Sequence, residues 1–129
     1  MKTILFTIFM GFTAIAFSQS NAAVIKFDHK EHEFGEVKEG DNVSHNYKFT
    51  NTGKSPLIIS NVMIACDCTT SEWPKNPIMP GKEGTIKVMF ASEGKDGLQK
   101  KVLVILTNAS NGTERISFTM NVLNDNPED

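Results

Sequence analysis

The chain has 129 residues, 40% of them hydrophobic, and carries 13 basic and 15 acidic side chains for a net charge of −2. That balance steers it toward neither nucleic acid nor anionic lipid, and the length suits one domain rather than several. Its two cysteines, Cys66 and Cys68, are too few for a disulfide framework, so stability has to come from packing.

In chain order, Met1-Lys2-Thr3 lead into an almost unbroken apolar run from Ile4 to Phe17, followed by Ser18-Gln19-Ser20-Asn21. One positive charge, a short apolar run and the small residues Ala16 and Ser18 make up a secretory signal, expected at residues 1–18. The run falls short of the roughly 20 apolar residues that span a bilayer, so no stable membrane span is expected after cleavage. Without Lys2 the balance becomes 12 basic against 15 acidic residues. The expected address is exported, periplasmic or extracellular.

Two-fold periodicity dominates the remainder. A first strand is expected near Val24 to Phe27 and a short one around Phe34 to Val37. Val43, His45, Tyr47 and Phe49 alternate with Ser44, Asn46 and Lys48, and Ile86, Val88 and Phe90 alternate with Thr85, Lys87 and Met89. Ile116, Phe118, Met120 and Val122 alternate in the same way with Ser117, Thr119 and Asn121. These patterns predict half-buried strands. Leu57 to Ile64 and Val102 to Leu106 are apolar on both parities, which predicts central strands or a strand that changes face. Turn residues fall between them at Glu39-Gly40-Asp41, Asn51-Thr52-Gly53, Pro80-Gly81, Glu83-Gly84, Asp96-Gly97 and Asn111-Gly112. The fold expected over residues 19–123 is an all-β, immunoglobulin-like β-sandwich of about seven antiparallel strands, with residues 124–129 as a polar tail.

Several stretches together carry a resemblance: Phe34-Gly35-Glu36-Val37, then Tyr47-Lys48-Phe49-Thr50-Asn51-Thr52-Gly53, then Pro56-Leu57-Ile58-Ile59. Cys66-Asp67-Cys68-Thr69-Thr70, Trp73-Pro74 and Pro77-Ile78-Met79-Pro80-Gly81 follow in order. The chain resembles the exported bacterial domain-of-unknown-function family numbered 1573, whose members are similar to the immunoglobulin-like domains of the major sperm protein and of related ciliary and centrosomal modules. The resemblance implies a fold and an address and no activity. Members usually carry glycine between the two cysteines; here it is Asp67.

The cysteine pair is the main candidate for chemistry. In an extended segment the two Cα atoms would lie about 6.6 Å apart with both side chains on one face, so a disulfide between them requires a turn at Asp67. Three readings stand: space-filling free thiols at a strand end, a labile redox pair, or soft-metal binding of Cu(I) with a thioether from Met63 or Met79. Asp67 beside the sulfurs works against thiolate formation. Zinc lacks two further ligands, and no cofactor motif is legible.

His29 and His32 sit in the polar run Asp28 to Glu33, which reads as a solvated loop, and His45 reads as a hydrogen-bonded core or edge histidine. Trp73, ahead of Pro74, reads as a plug at one end of the sandwich or as an aromatic anchor for a partner. No nucleophile elbow accompanies the scattered serines, so hydrolysis is not expected. The leading expectation is a non-catalytic exported module that binds a protein or envelope component by a sheet face or an edge strand. The alternative is a thiol-redox or copper(I)-handling protein built on Cys66 and Cys68.

Overall fold

A computed structural model describes residue 11 and residues 21–125, with eight strands and no helix among them. The strands are β1 (Ile25–Phe27), β2 (Glu31–Lys38), β3 (Asn42–Asn51), β4 (Ile59–Ile64), β5 (Thr69–Glu72), β6 (Glu83–Ala91), β7 (Gly97–Thr107) and β8 (Glu114–Leu123). Apart from Gly11, the expected leader at 1–18 lies outside the described residues, as do residues 126–129 of the expected tail.

Alternation works as the sequence predicts. Tyr47, Phe49 and Asn51 of β3, Ile86, Val88 and Phe90 of β6, and Ile116, Phe118, Met120 and Val122 of β8 are all buried. Two four-stranded sheets, ordered β1-β3-β6-β5 and β2-β8-β7-β4, place these side chains between them. Across the interior the Phe90 and Phe118 rings meet edge to face at 5.6 Å. Tyr47 ties the layers together, its hydroxyl donating to the Ser117 carbonyl at 2.8 Å. Burial pushes that phenol up to about 12, so it stays a neutral donor.

Two positions show how tightly this interior is fitted. Glu83-Gly84 is not a turn but the start of β6: Gly84 lies directly opposite Phe49 of β3, and a Cβ there would stand 2.4 Å from the Phe49 ring, so the glycine serves close packing. Asn51, with no exposed surface, donates from Nδ2 to the carbonyls of Ser55 and Ile78 at 2.8 and 2.9 Å. Its Oδ1 accepts the amides of Gly53 and Val24 at 3.0 and 3.3 Å. Among the described residues no buried side-chain nitrogen or oxygen lacks a hydrogen-bond partner.

The sandwich departs from expectation in three places. An additional strand, β5, escapes the periodicity because Thr69-Thr70-Ser71-Glu72 has no apolar residue to alternate. One pair, β2 with β8, is parallel, whereas the others are antiparallel. The third departure concerns the two stretches that are apolar on both parities. Val102 to Leu106 lies in β7, an interior strand, but Leu57 to Ile64 ends in β4, a sheet edge. Leu57 is fully buried and bridges Ile78, while Ile58 and Met63 stay 45% and 50% exposed.

Candidate functional site

β4 is the edge of one sheet and β5 the edge of the other, and the four residues 65–68 carry the chain between them along one flank. The Thr69 amide donates to the Cys66 carbonyl at 3.2 Å and closes a turn. Within it a disulfide joins Cys66 to Cys68, with Cα atoms 5.3 Å apart rather than the extended spacing of about 6.6 Å. The free, space-filling thiol reading is therefore corrected: both sulfurs are bonded to each other. In this state they cannot hold Cu(I) as thiolates. Asp67 makes the turn without the left-handed backbone that a glycine would permit, since no described non-glycine residue has positive φ.

This disulfide cross-links little. The entropy removed from the unfolded chain by a three-residue ring corresponds to about 1.5 kcal/mol, about half of what a 15-residue loop gives. Its surroundings are more informative. Both cysteines are half-buried, and each opens on a different hollow. Cys68 borders a depression of about 430 Å³ with Ser44, Asp67, Thr70, Lys87 and Met89, on the outer face of the first sheet. Cys66 borders one of about 230 Å³ with Ala65, Lys100, Lys101 and Val102. The Cys68 amide donates to Cys66 Sγ at 3.3 Å, and the Thr69 hydroxyl lies 3.8 Å from Cys68 Sγ.

The four sheet edges differ in how they are guarded. β1 has three residues, and Asn111 seals it by accepting the Ile25 amide at 3.3 Å and donating to the Ile25 carbonyl at 2.8 Å. β2 carries Glu31, Glu33, Glu36 and Lys38, and its register slips between Glu33 and Glu36, where Gly35 takes φ 74°. Charge and a bulge are the usual deterrents to edge pairing. β5 is only four residues long. β4 has no charge, nor is there one anywhere from Ser55 to Ala65. Beside it, on the outer face, Met63 lies opposite Val104 and Asn61 opposite Leu106. Val102, at 43% exposure, extends this apolar strip toward the disulfide turn.

The histidines occupy the opposite flank. His32 lies in β2, not in a loop, because His32 and Phe34 take the inward parity while Glu31 and Glu33 face water. Its ring stacks on His45 of β3, centroids 3.6 Å apart and planes 10° from parallel. Phe34 and Tyr47 meet His45 edge-on at 6.4 and 4.8 Å. Burial first, and then the neighbouring His32 and His29, pull the His45 imidazole below its ordinary value of 6.5. His45 is thus held by ring stacking between sheets. Trp73 is half-buried against the core, with the Lys75 ammonium 3.1 Å from its ring centroid. Among the described residues no group of three His, Cys, Asp or Glu side chains is placed to hold a metal ion, and no helix is long and apolar enough to cross a membrane.

Sequence reasoning singled out the cysteines but passed over Asn51 and Asn111, which looked like turn residues. It also passed over the uncharged stretch around β4, whose missing charges were the readable signal.

Known structures share this architecture. A Porphyromonas gingivalis W83 protein of unknown function superposes with a TM-score of 0.69 at 17% identity, over 81% of this chain and 50% of that one. This chain thus spans about half the length of that relative. The ASH / PapD-like domain 7 of human CEP192 gives 0.65 at 7% identity over 93% and 99%. The secreted serine protease VesC of Vibrio cholerae gives 0.60 at 15% identity over 81% of this chain and 24% of VesC. At these identities the likeness concerns the fold alone. No curated protein matches the sequence. The family model for "Protein of unknown function (DUF1573)" matches residues 25–122, from the first strand to the last, and the chain belongs to that family.

Proposed function

We propose that this chain is an exported, non-catalytic immunoglobulin-like module that binds a partner protein by taking an extended segment of it as an added strand along β4. One observation carries the reading: β4 is an unguarded edge, uncharged, paired on one side only, and bordered by exposed Met63 and Val102. An added strand gains main-chain hydrogen bonds from such an edge, and its alternate side chains cover the apolar strip. Asn61 Oδ1 now holds the Val62 amide at 2.9 Å, a local bond that an incoming carbonyl would replace. The partner chemistry that fits is an extended segment with apolar residues at every second position.

A photoreactive side chain at position 63 tests this. It should cross-link an envelope protein through such a segment, while the same group at position 46, on the opposite face, should not. Met63→Asp should weaken that capture roughly tenfold, equivalent to about 1.4 kcal/mol, while leaving stability within about 0.5 kcal/mol. Undiminished capture by Met63→Asp would count against β4 as the docking edge.

A further inference from the structure

We propose that the Cys66–Cys68 disulfide is a thiol–disulfide exchange site for an extended polypeptide carrying two thiols, with Cys68 the sulfur attacked and Cys66 the sulfur that leaves. The inference does not depend on docking at β4.

The ring of three residues constrains so little of the unfolded chain that a stapling role does not account for it. It sits on the turn that joins two sheet edges, where both cysteines are half-buried and Cys68 packs in part against the core. The two sulfurs are also unlike each other. Cys66 Sγ accepts the Cys68 amide, and its hollow is lined by two lysines, Lys100 and Lys101, where the depression beside Cys68 has one lysine, Lys87, and one carboxylate, Asp67. A backbone donor and a more cationic surround stabilise a thiolate, and the sulfur that better bears negative charge leaves faster. They also oppose the effect of Asp67. Cys68 opens instead on the larger depression, which Cys66 does not line. A nucleophile must come to the attacked sulfur from the side away from its partner, and the proposed approach is through that depression.

The depression favours an extended chain over a small thiol. It lies on the outer face of β3, β6 and β5, beside the unpaired edge of β5. A polypeptide following that edge would lay a side chain over Thr70 and Met89 toward Cys68. In the first step a client thiolate forms a bond to Cys68 Sγ while the Cys66–Cys68 bond breaks, and the electron pair departs on Cys66. In the second step the other client thiolate attacks the client sulfur of this mixed disulfide and expels Cys68 as a thiolate. The client loses two electrons and two protons and gains a disulfide; Cys66 and Cys68 take up both and become thiols. The chain's own disulfide is the oxidant, for one exchange per molecule.

The test uses the full oxidised chain with a synthetic extended peptide containing two cysteines, a one-cysteine version, and glutathione. The two-cysteine peptide should be oxidised one for one as Cys66 and Cys68 become alkylatable. Acid quenching with the one-cysteine peptide, followed by alkylation and peptide mapping, should find the adduct on Cys68 and the alkyl group on Cys66. At equal thiolate concentration the peptide should react faster than glutathione. Lys100→Gln with Lys101→Gln should slow opening roughly fivefold, with an unchanged circular dichroism spectrum. An adduct on Cys66, a disulfide that stays closed in millimolar thiol, or glutathione matching the peptide would overturn the proposal. Met63→Gln, which removes the apolar side chain from β4 without adding a charge near Cys66, should leave the exchange rate unaltered, which separates failure here from failure of β4 docking.

Discussion

The two flanks of the sandwich are closed by opposite means. On the β1/β2 side polar groups are spent on holding the fold together: the His32–His45 stack between the sheets, the Asn111 clasp on Ile25, and, along one sheet, Lys30 paired with Glu114 at 2.7 Å. Its edges are short, bulged or charged. On the β4/β5 side the β4 edge is uncharged with apolar side chains facing outward, the β5 edge is short and polar, and the turn between them is fixed by a disulfide that contributes little cross-linking. One flank stores stability, whereas the other leaves its backbone and sulfurs available. In a fold with a single core, substitutions on the two sides should therefore separate folding from function.

The largest expected effect is on the guarded flank. Asn111→Ala removes both bonds to Ile25 and bares the β1 edge, and should cost about 2 kcal/mol in denaturant unfolding. Replacing both cysteines by serine on the open flank should cost at most about 1.5 kcal/mol while abolishing thiol exchange. A loss larger than that of Asn111→Ala would break the comparison. Tyr47→Phe, which deletes the cross-sheet bond to Ser117, should cost about 1 kcal/mol. The smallest effect is a pH dependence. Because the folded state holds His45 below 6.5, its contribution is complete above that value and is lost as pH falls beneath it. Thermal midpoints should decline on acidification below 6.5, and less steeply in His32→Gln, where one of the like charges facing His45 is gone.

Much of the architecture was legible because strand periodicity reports which side chains are inward, and β3, β6 and β8 keep apolar residues there almost throughout. The same rule failed where chemistry and position part company. β5 is held by pairing to β6 although its residues are polar. β4 reads as doubly apolar, which suggests a central strand, yet its outward residues meet no second layer. The asparagines were hidden by their own versatility: Asn51 next to Gly53 and Asn111 next to Gly112 match turn chemistry, and only the folded chain brings distant amides to their side chains. The disulfide was visible as a possibility, but choosing it required the turn geometry at Asp67, and the different hollows beside its two cysteines depended on Lys100 and Lys101 arriving from β7 and Lys87 from β6.

Asn51 has a consequence for motion. The amides of Val24 and Gly53 lie just beyond the ends of β1 and β3, in segments joined by the Thr52–Val24 and Lys54–Ala22 backbone bonds, and amides at such ends normally exchange their protons with water through local fraying. Here both are bonded to a side chain that has no exposed surface and that also grips Ser55 and Ile78. Releasing either means disturbing the interior, so these loop amides belong to the same cooperative unit as β3 and open when it opens.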